Sequence, residues 1–168
     1  GQDMTFSMTG LVGDVLLRAN LAGACLETVQ VGGADVTDRP HEFRSGDKVT
    51  IVLTTQTSTV TGSVTDDSGA PVTNASILLF ASGKNGWREN SVRIRRATPD
   101  AGGQYRLAGV LPGNYYVIAA PRNRINIPSP DAAYFESLSK DATPVVVGDS
   151  EQRTVDLKFT ATPSGGGL

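Results

Sequence analysis

The sequence predicts an all-β protein: a Greek-key, seven-stranded β-sandwich with one short helix, preceded by the C-terminal part of a second, similar sandwich. Three observations predict it. Apolar residues recur with period two over short runs, as in "TSTVTGSVTD" (57–66), where Val60 and Val64 share a face with Gly62. The runs are separated by turn-forming clusters, in a chain of 168 residues that holds 19 Gly and 9 Pro. The cadence of "YRLAGVLPGNYYVIAA" (105–120) is also present in "FSMTGLVGDVLLRA" (6–19).

Taken in order, "DDSG" (66–69) is a turn in which Asp and Ser bond the local backbone and Gly69 takes positive φ. "NASILLFA" (74–81) is an apolar run of strand length. "VRIRRAT" (92–98) puts Val92 and Ile94 on one face of a strand and Arg93 and Arg95 on the other. "PDAGGQ" (99–104) turns the chain into the next strand. "NYYVIAA" (114–120) is apolar on both faces, as a covered central strand requires. The cover is "SPDAAYFESLSK" (129–140), a short helix with Ser129 as N-cap, Pro130 in the first helical position, and Phe135 and Leu138 facing inward. Two more strands follow in "TPVVVGDSEQRTVDLKF" (143–159), the last with the alternation Val155, Leu157, Phe159.

The front of the chain lies over part of this unit. Residues 6–12 align with 105–111, placing Phe6 on Tyr105, Gly10 on Gly109 and Leu11 on Val110. After a one-residue gap at Pro112, Gly13 falls on Gly113 and Ala19 on Ala119. Downstream, Pro40 falls on Pro144, Thr50 on Thr154, Ile51 on Val155 and Leu53 on Leu157. Two segments in the same order argue for a duplicated unit. Residues 1–56 are then the C-terminal portion of an incomplete repeat, 57–160 a complete sandwich and 161–168 a Gly-rich tail. A half-sandwich shows water its apolar face and an open strand edge. Either the chain is a fragment of a longer protein, or another chain supplies the absent strands.

The second repeat resembles the carboxypeptidase regulatory-like domains, which implies a transthyretin-like (prealbumin-like) sandwich. The resemblance is carried by Gly62 and Val64; by Asp66, Gly69, Pro71 and Val72; by Asp100, Gly103, Tyr105 and Leu107; and by Leu111, Pro112, Gly113 and Tyr115. The stretch "VQVGGADVTDRPHEF" (29–43) is similar to those joining tandem arrays of such domains in secreted or envelope proteins of bacteria. The resemblance implies a non-catalytic companion of enzymes or receptors. Physically these landmarks build turns and core and identify a scaffold, with no direct statement about activity.

The residues point the same way. Fifteen basic against 17 acidic side chains give a formal charge of −2, so no global field for nucleic acid or anionic membrane arises. No apolar run approaches the roughly 20 residues that span a bilayer, and the N-terminus shows no basic region followed by an apolar core, which leaves a signal peptide absent or already removed. His41 is the single histidine, and no serine stands in a strained nucleophile turn, so no catalytic residue is expected. Cys25, the single cysteine, reads as a buried, inert thiol among apolar neighbours. "DDSG" and "PDAGG" supply too few oxygens for calcium, and no metal or cofactor is expected.

The informative local feature is "KNGWRENSVRIRR" (84–96). Two readings of it are open. Trp87, Arg88, Arg93 and Arg95 form a binding surface, as exposed Trp beside arginine does in recognition hot spots and sugar-stacking sites; or Trp87 folds back to plug one end of the sandwich while the arginines are solvated. The expected function is a non-catalytic, extracytoplasmic module (secreted, periplasmic or cell-surface) that binds a protein partner or itself through an exposed β-edge, in a tandem array or fibre. The alternatives are a carbohydrate-binding module using Trp87 with Tyr116 or Tyr134, and an accessory domain of a larger peptidase or receptor. Nucleic acid is not an expected partner.

Overall fold

In the computed structural model, which describes residues 4–161, regular structure begins at β1 (Asp14–Val15). It continues through β2 (Cys25–Val31), β3 (Ala34–Asp35), β4 (His41–Glu42) and β5 (Val49–Thr54). β2 is the centre of an antiparallel sheet β3-β2-β5, and β1 pairs antiparallel with β4. Leu26 and Val29 are three residues apart, so strict alternation would send them to opposite faces. The bulge between Leu26 and Thr28 resets the register, and both are buried in one cluster with Leu17. The two-residue turn from β2 to β3 is Gly32-Gly33, both at positive φ (57° and 88°), as a tight hairpin requires.

The complete unit is made of β6 (Ser58–Thr65), β7 (Ala75–Ala81), β8 (Arg95–Ala97), β9 (Gln104–Val110), β10 (Gly113–Pro121), β11 (Thr143–Val147), β12 (Gln152–Thr154) and β13 (Leu157–Lys158). β12 and β13 are one strand interrupted at Val155–Asp156, which makes seven. One sheet has the order β11-β10-β7-β8; in the other, β6 lies between β9 and the interrupted last strand. β6 runs antiparallel to β9 but parallel to β12 and β13, so the first and last strands of the unit point the same way. The inward residues Val60, Val64, Ile77, Leu79, Leu107, Tyr115, Val117 and Leu157 form the core between the sheets. The all-β, seven-stranded sandwich expected from the sequence is the fold observed.

β10 is covered on both faces, as its lack of alternation required. Tyr115, Val117 and Ala119 enter the inter-sheet core. Ile118 and Ala120 lie beneath α1 (Arg122–Ile125) and α2 (Ala132–Ser139), against Phe80, Ile125, Phe135 and Leu138. The Leu-Pro-Gly-Asn-Tyr corner closes on itself: the Tyr115 hydroxyl donates to the Leu111 carbonyl (2.7 Å) and accepts from Arg93 Nη1 (3.2 Å). Removing that hydroxyl leaves a buried carbonyl without its donor. Tyr115→Phe is therefore expected to cost about 1–3 kcal/mol, read as a lowered midpoint in urea with an unchanged slope.

The two Asp-initiated turns form as expected. Asp66 Oδ1 accepts from Ser68 N, Ser68 Oγ and Ala70 N, and Asp100 Oδ1 accepts from Gly102 N and Gln104 N. The hydroxyl and amides around Asp66 hold its carboxyl below the usual carboxylate range.

Three expectations need correction. The strand at 92–98 is only Arg95–Ala97, because the chain turns at 91–94, closed by Ile94 N donating to Ser91 O at 3.1 Å. Val92 and Ile94 consequently face different clusters, the former that of the front unit and the latter that beneath the helices. The N-cap of α2 is Asp131, whose carboxylate accepts from Tyr134 N at 2.8 Å. Ser129 instead takes a left-handed φ of 48°, which carries the chain into Pro130. Cys25 is half-buried, with Sγ 3.9 Å from the Gly109 carbonyl, since the front sheet touches the sandwich there. Apart from Ala161, the expected Gly-rich tail lies outside the described residues.

Candidate functional site

Segment 84–96 connects β7 to β8 and carries all four of the candidate binding residues. Its first part is a short 3-10 turn, Lys84–Gly86, after which Trp87 folds inward. Trp87 is 6% exposed and donates Nε1–H to the Ala81 carbonyl at 2.8 Å. Phe80 and Phe135 pack against its ring, and Lys84 Nζ lies 5.5 Å from the ring centroid. No ring face is open for a ligand, so of the two readings of Trp87 the structure has the plug. Burial wins because an indole contributes a large apolar area and finds its one polar partner within reach.

The arginines are not merely solvated. Arg93 is half-buried and binds the Pro112 carbonyl (2.9 Å) and Tyr115. Arg95, also half-buried, donates to the carbonyls of Val92, Ile94 and Gly109. Both guanidinium groups satisfy turn and bulge carbonyls that strands leave free. Arg88 alone of the four is exposed. Tyr116 packs on Phe80, and the Tyr134 hydroxyl donates into the carbonyls of Arg124 and Ile125. The four do not make one open patch.

What the segment does is hold the front unit. Asp38 Oδ1 accepts from Val92 N at 3.0 Å and from Arg18 Nη2 at 3.2 Å, and its Oδ2 accepts from Ser91 Oγ. Arg18 donates further to the carbonyls of Thr37 and Asn90. Val92 completes the clamp by packing on the apolar cluster of the front unit. The stretch "ADVTD" (34–38) explains the placement: Asp35 accepts from the amide and hydroxyl of Thr37, and Thr37 Oγ1 accepts from Val29 N. That arrangement aims Asp38 outward and holds the Asp35 carboxyl below its usual range. Sequence reasoning missed Arg18, Asp38 and Ser91. The signal was the V-T-D run, which marks a linking stretch without saying what Asp38 touches.

The front unit also has a groove of about 560 Å3 of mixed lining, with Phe6, Met8, Leu11 and Phe43 beside Ser7, Thr9, Arg44 and Asp47. The segment that walls it, residues 4–12, has no strand pairing among the described residues. Its alternating side chains are open to water: Met4 is 78% exposed, Phe6 51% and Met8 49%. Among the described residues it is an uncharged, exposed apolar segment without strand pairing. His41 sits in β4, half-buried, with its ring edge-on to Phe43 (centroids 4.9 Å apart), and has no hydrogen bond to a serine or cysteine among the described residues.

The family model for the carboxypeptidase regulatory-like domain matches residues 59–160, more than half of the chain. The chain belongs to this family. The regulatory-like domain thus runs from within β6 to past β13, and both the clamp residues Arg18 and Asp38 and the groove lie outside it. No curated protein matches the chain. Among solved structures, the major pilin subunit BcpA of Bacillus cereus is similar at 11% identity over 81% of this chain and 56% of that one, with a TM-score of 0.44. The Bacillus anthracis TIE protein is similar at 13% identity over 71% of this chain and 20% of that one, with a TM-score of 0.39. The dioxygenase domain of a dioxygenase carbohydrate-binding protein fusion from Streptomyces sp. SirexAA-E is similar at 14% identity over 64% of this chain and 81% of that one, with a TM-score of 0.40. The chain spans a fifth of the length of the B. anthracis protein and just over half that of the pilin. Likeness at this level says nothing of what a regulatory-like domain binds or does.

Proposed function

We propose that this regulatory-like domain and its front unit form a non-catalytic, extracytoplasmic module that holds protein partners, and that the front unit is the part that engages them. One observation carries the reading. Residues 4–12 present exposed apolar side chains, Met4, Phe6 and Met8, with no strand pairing among the described residues, while the segment with the best recognition composition, 84–96, is spent on packing and on clamping the two units together. Open edges with an apolar face are where chains add strands to one another. The extracytoplasmic placing rests on the resemblance of stretch 29–43 to the joints of tandem arrays in secreted and envelope proteins.

Light scattering over a dilution series, paired with amide hydrogen exchange, tests this. The expected result is slow exchange in β6–β13, fast exchange over residues 4–12 in dilute solution, and a mass that rises with concentration as open segments find strands. A chain that stays monomeric at every concentration, with residues 4–12 as protected as β9, contradicts the proposal.

A further inference from the structure

Asn85-Gly86 is the one Asn-Gly pair of the chain; each of the other six asparagines precedes a residue with a Cβ. A carboxamide next to glycine is open to attack by the following backbone nitrogen. No Cβ shields that nitrogen, and glycine turns freely into the attacking geometry. Packing explains why the pair is there. A Cβ on Gly86 would lie 2.8 Å from Cβ of Ala81, the last residue of β7, so the buried place under the turn admits no side chain. Asn85 beside it is exposed.

The turn holds one reacting group and leaves the other loose. Gly86 N donates to the Gly83 carbonyl at 3.0 Å and Trp87 N to the Lys84 carbonyl at 3.1 Å, which keeps residues 84–86 in the 3-10 conformation. The indole that follows is tied to the Ala81 carbonyl, and Lys84 Nζ lies 3.2 Å from Glu136 Oε2 of α2. The Asn85 carboxamide, by contrast, has no hydrogen bond among the described residues. Closing a five-membered ring between the two requires Asn85 to leave its 3-10 dihedrals and Gly86 to give up its donor bond.

We propose that Asn85 is a self-modification site gated by this turn: when the turn opens, the Gly86 nitrogen attacks Cγ of Asn85. The N–Cγ bond forms, the Cγ–Nδ2 bond breaks, and ammonia leaves carrying the proton of the Gly86 amide, so the product is a succinimide. Water then opens the ring at either carbonyl and gives aspartate or isoaspartate, with no oxidant or reductant involved. Isoaspartate routes the main chain through the side-chain carbon and lengthens it by a methylene, and both products add a negative charge. Over the longer chain the Gly86 amide no longer meets the Gly83 carbonyl in register. Trp87, the next residue but one, then loses its seat against Phe80 and Phe135.

The test ages the full chain at mildly alkaline pH beside a synthetic peptide of residues 83–88, "GKNGWR". Mass spectrometry after digestion reads the change from amide to acid at residue 85, and an isoaspartyl methyltransferase marks the isoaspartate. The chain is expected to convert at Asn85 ahead of every other asparagine, and about tenfold or more slowly than the peptide, because attack waits for a local opening. Trp87→Phe keeps a ring in the plug but removes the bond to the Ala81 carbonyl, and is expected to speed conversion severalfold. Lys84→Ala, which cuts the exposed tie to α2, is expected to act in the same direction and keeps the test open if Trp87→Phe does not fold. The isoaspartyl fraction is expected to melt earlier and to show red-shifted tryptophan emission. A chain that converts as fast as the peptide overturns the proposal, as does one that neither variant speeds. An isoaspartyl form with the melt and emission of the parent overturns it as well.

Discussion

Gly62→Ala is expected to abolish the folded sandwich. A Cβ at this position would lie 1.9 Å from the Val155 carbonyl oxygen, 2.6 Å from its carbon and 3.1 Å from Cε1 of Tyr105. None of these can swing aside cheaply. Val155 N donates to Thr61 O at 2.8 Å, and its carbonyl accepts from the Tyr105 hydroxyl at 2.7 Å. Between β12 and β13 the last strand brings the Val155 carbonyl over Gly62, with only a hydrogen atom beneath it. Clearing a methyl group means displacing that carbonyl and both hydrogen bonds. The cost is at the exceptional end for a single substitution, about 4–5 kcal/mol or more, comparable with the whole stability of an ordinary domain of about 5–15 kcal/mol. Soluble yield and a thermal melt read it directly. Gly69→Ala is the control: φ there is +85° but nothing lies within 4 Å, so only backbone strain of about 1–2 kcal/mol is expected. If Gly62→Ala melts like the control, the Val155 carbonyl does not press on Gly62.

The second large effect is expected from Asp38→Ala, and it should be confined to one part of the chain. The substitution removes the shared acceptor of Arg18, Ser91 and the Val92 amide, on a side chain only 13% exposed. Charge-assisted bonds at this burial make the loss about 2–4 kcal/mol. Because the front unit has, among the described residues, a core of three buried apolar residues, Leu17, Leu26 and Val29, with half-buried ones around it, it depends on this attachment more than the sandwich does. Hydrogen exchange is expected to accelerate across β2–β5 while β6, β7, β9 and β10 keep their protection. Equal acceleration throughout would show that the two units unfold as one body and that the clamp is not what separates their stabilities.

Much of the sandwich was legible because its elements obey local rules. The alternation in β6, the Asp-initiated turns at Asp66 and Asp100, and the doubly apolar run of β10 each specify a conformation from adjacent residues. The fate of Trp87 and the arginines was not legible, because composition cannot distinguish an exposed indole from one whose nitrogen finds the Ala81 carbonyl. The shortened β8 failed for a related reason. "VRIR" alternates like a strand, yet Asp38, more than fifty residues earlier, holds the Val92 amide and turns the chain. The helix cap was misplaced by two residues because Ser129 and Asp131 are both good caps; with Asp131 as the cap, Ala132 holds the first helical position expected for Pro130, which lies before the helix. That the front of the chain is a repeat of the back is an expectation carried by apolar and Gly-Pro landmarks alone. The left-handed turn at Ser150 was hidden, since a serine gives no hint of one.

The parallel course of β6 and the final strand has a mechanical consequence. The chain enters the sandwich at one end and leaves it at the other, along neighbouring strands that run in the same direction. Tension applied through the two ends therefore loads the bonds between those strands side by side in shear, so they resist together and do not peel one after another. Copies joined end to end would form a thread whose strength is set by this single seam, with Gly62 and Val155 at its middle.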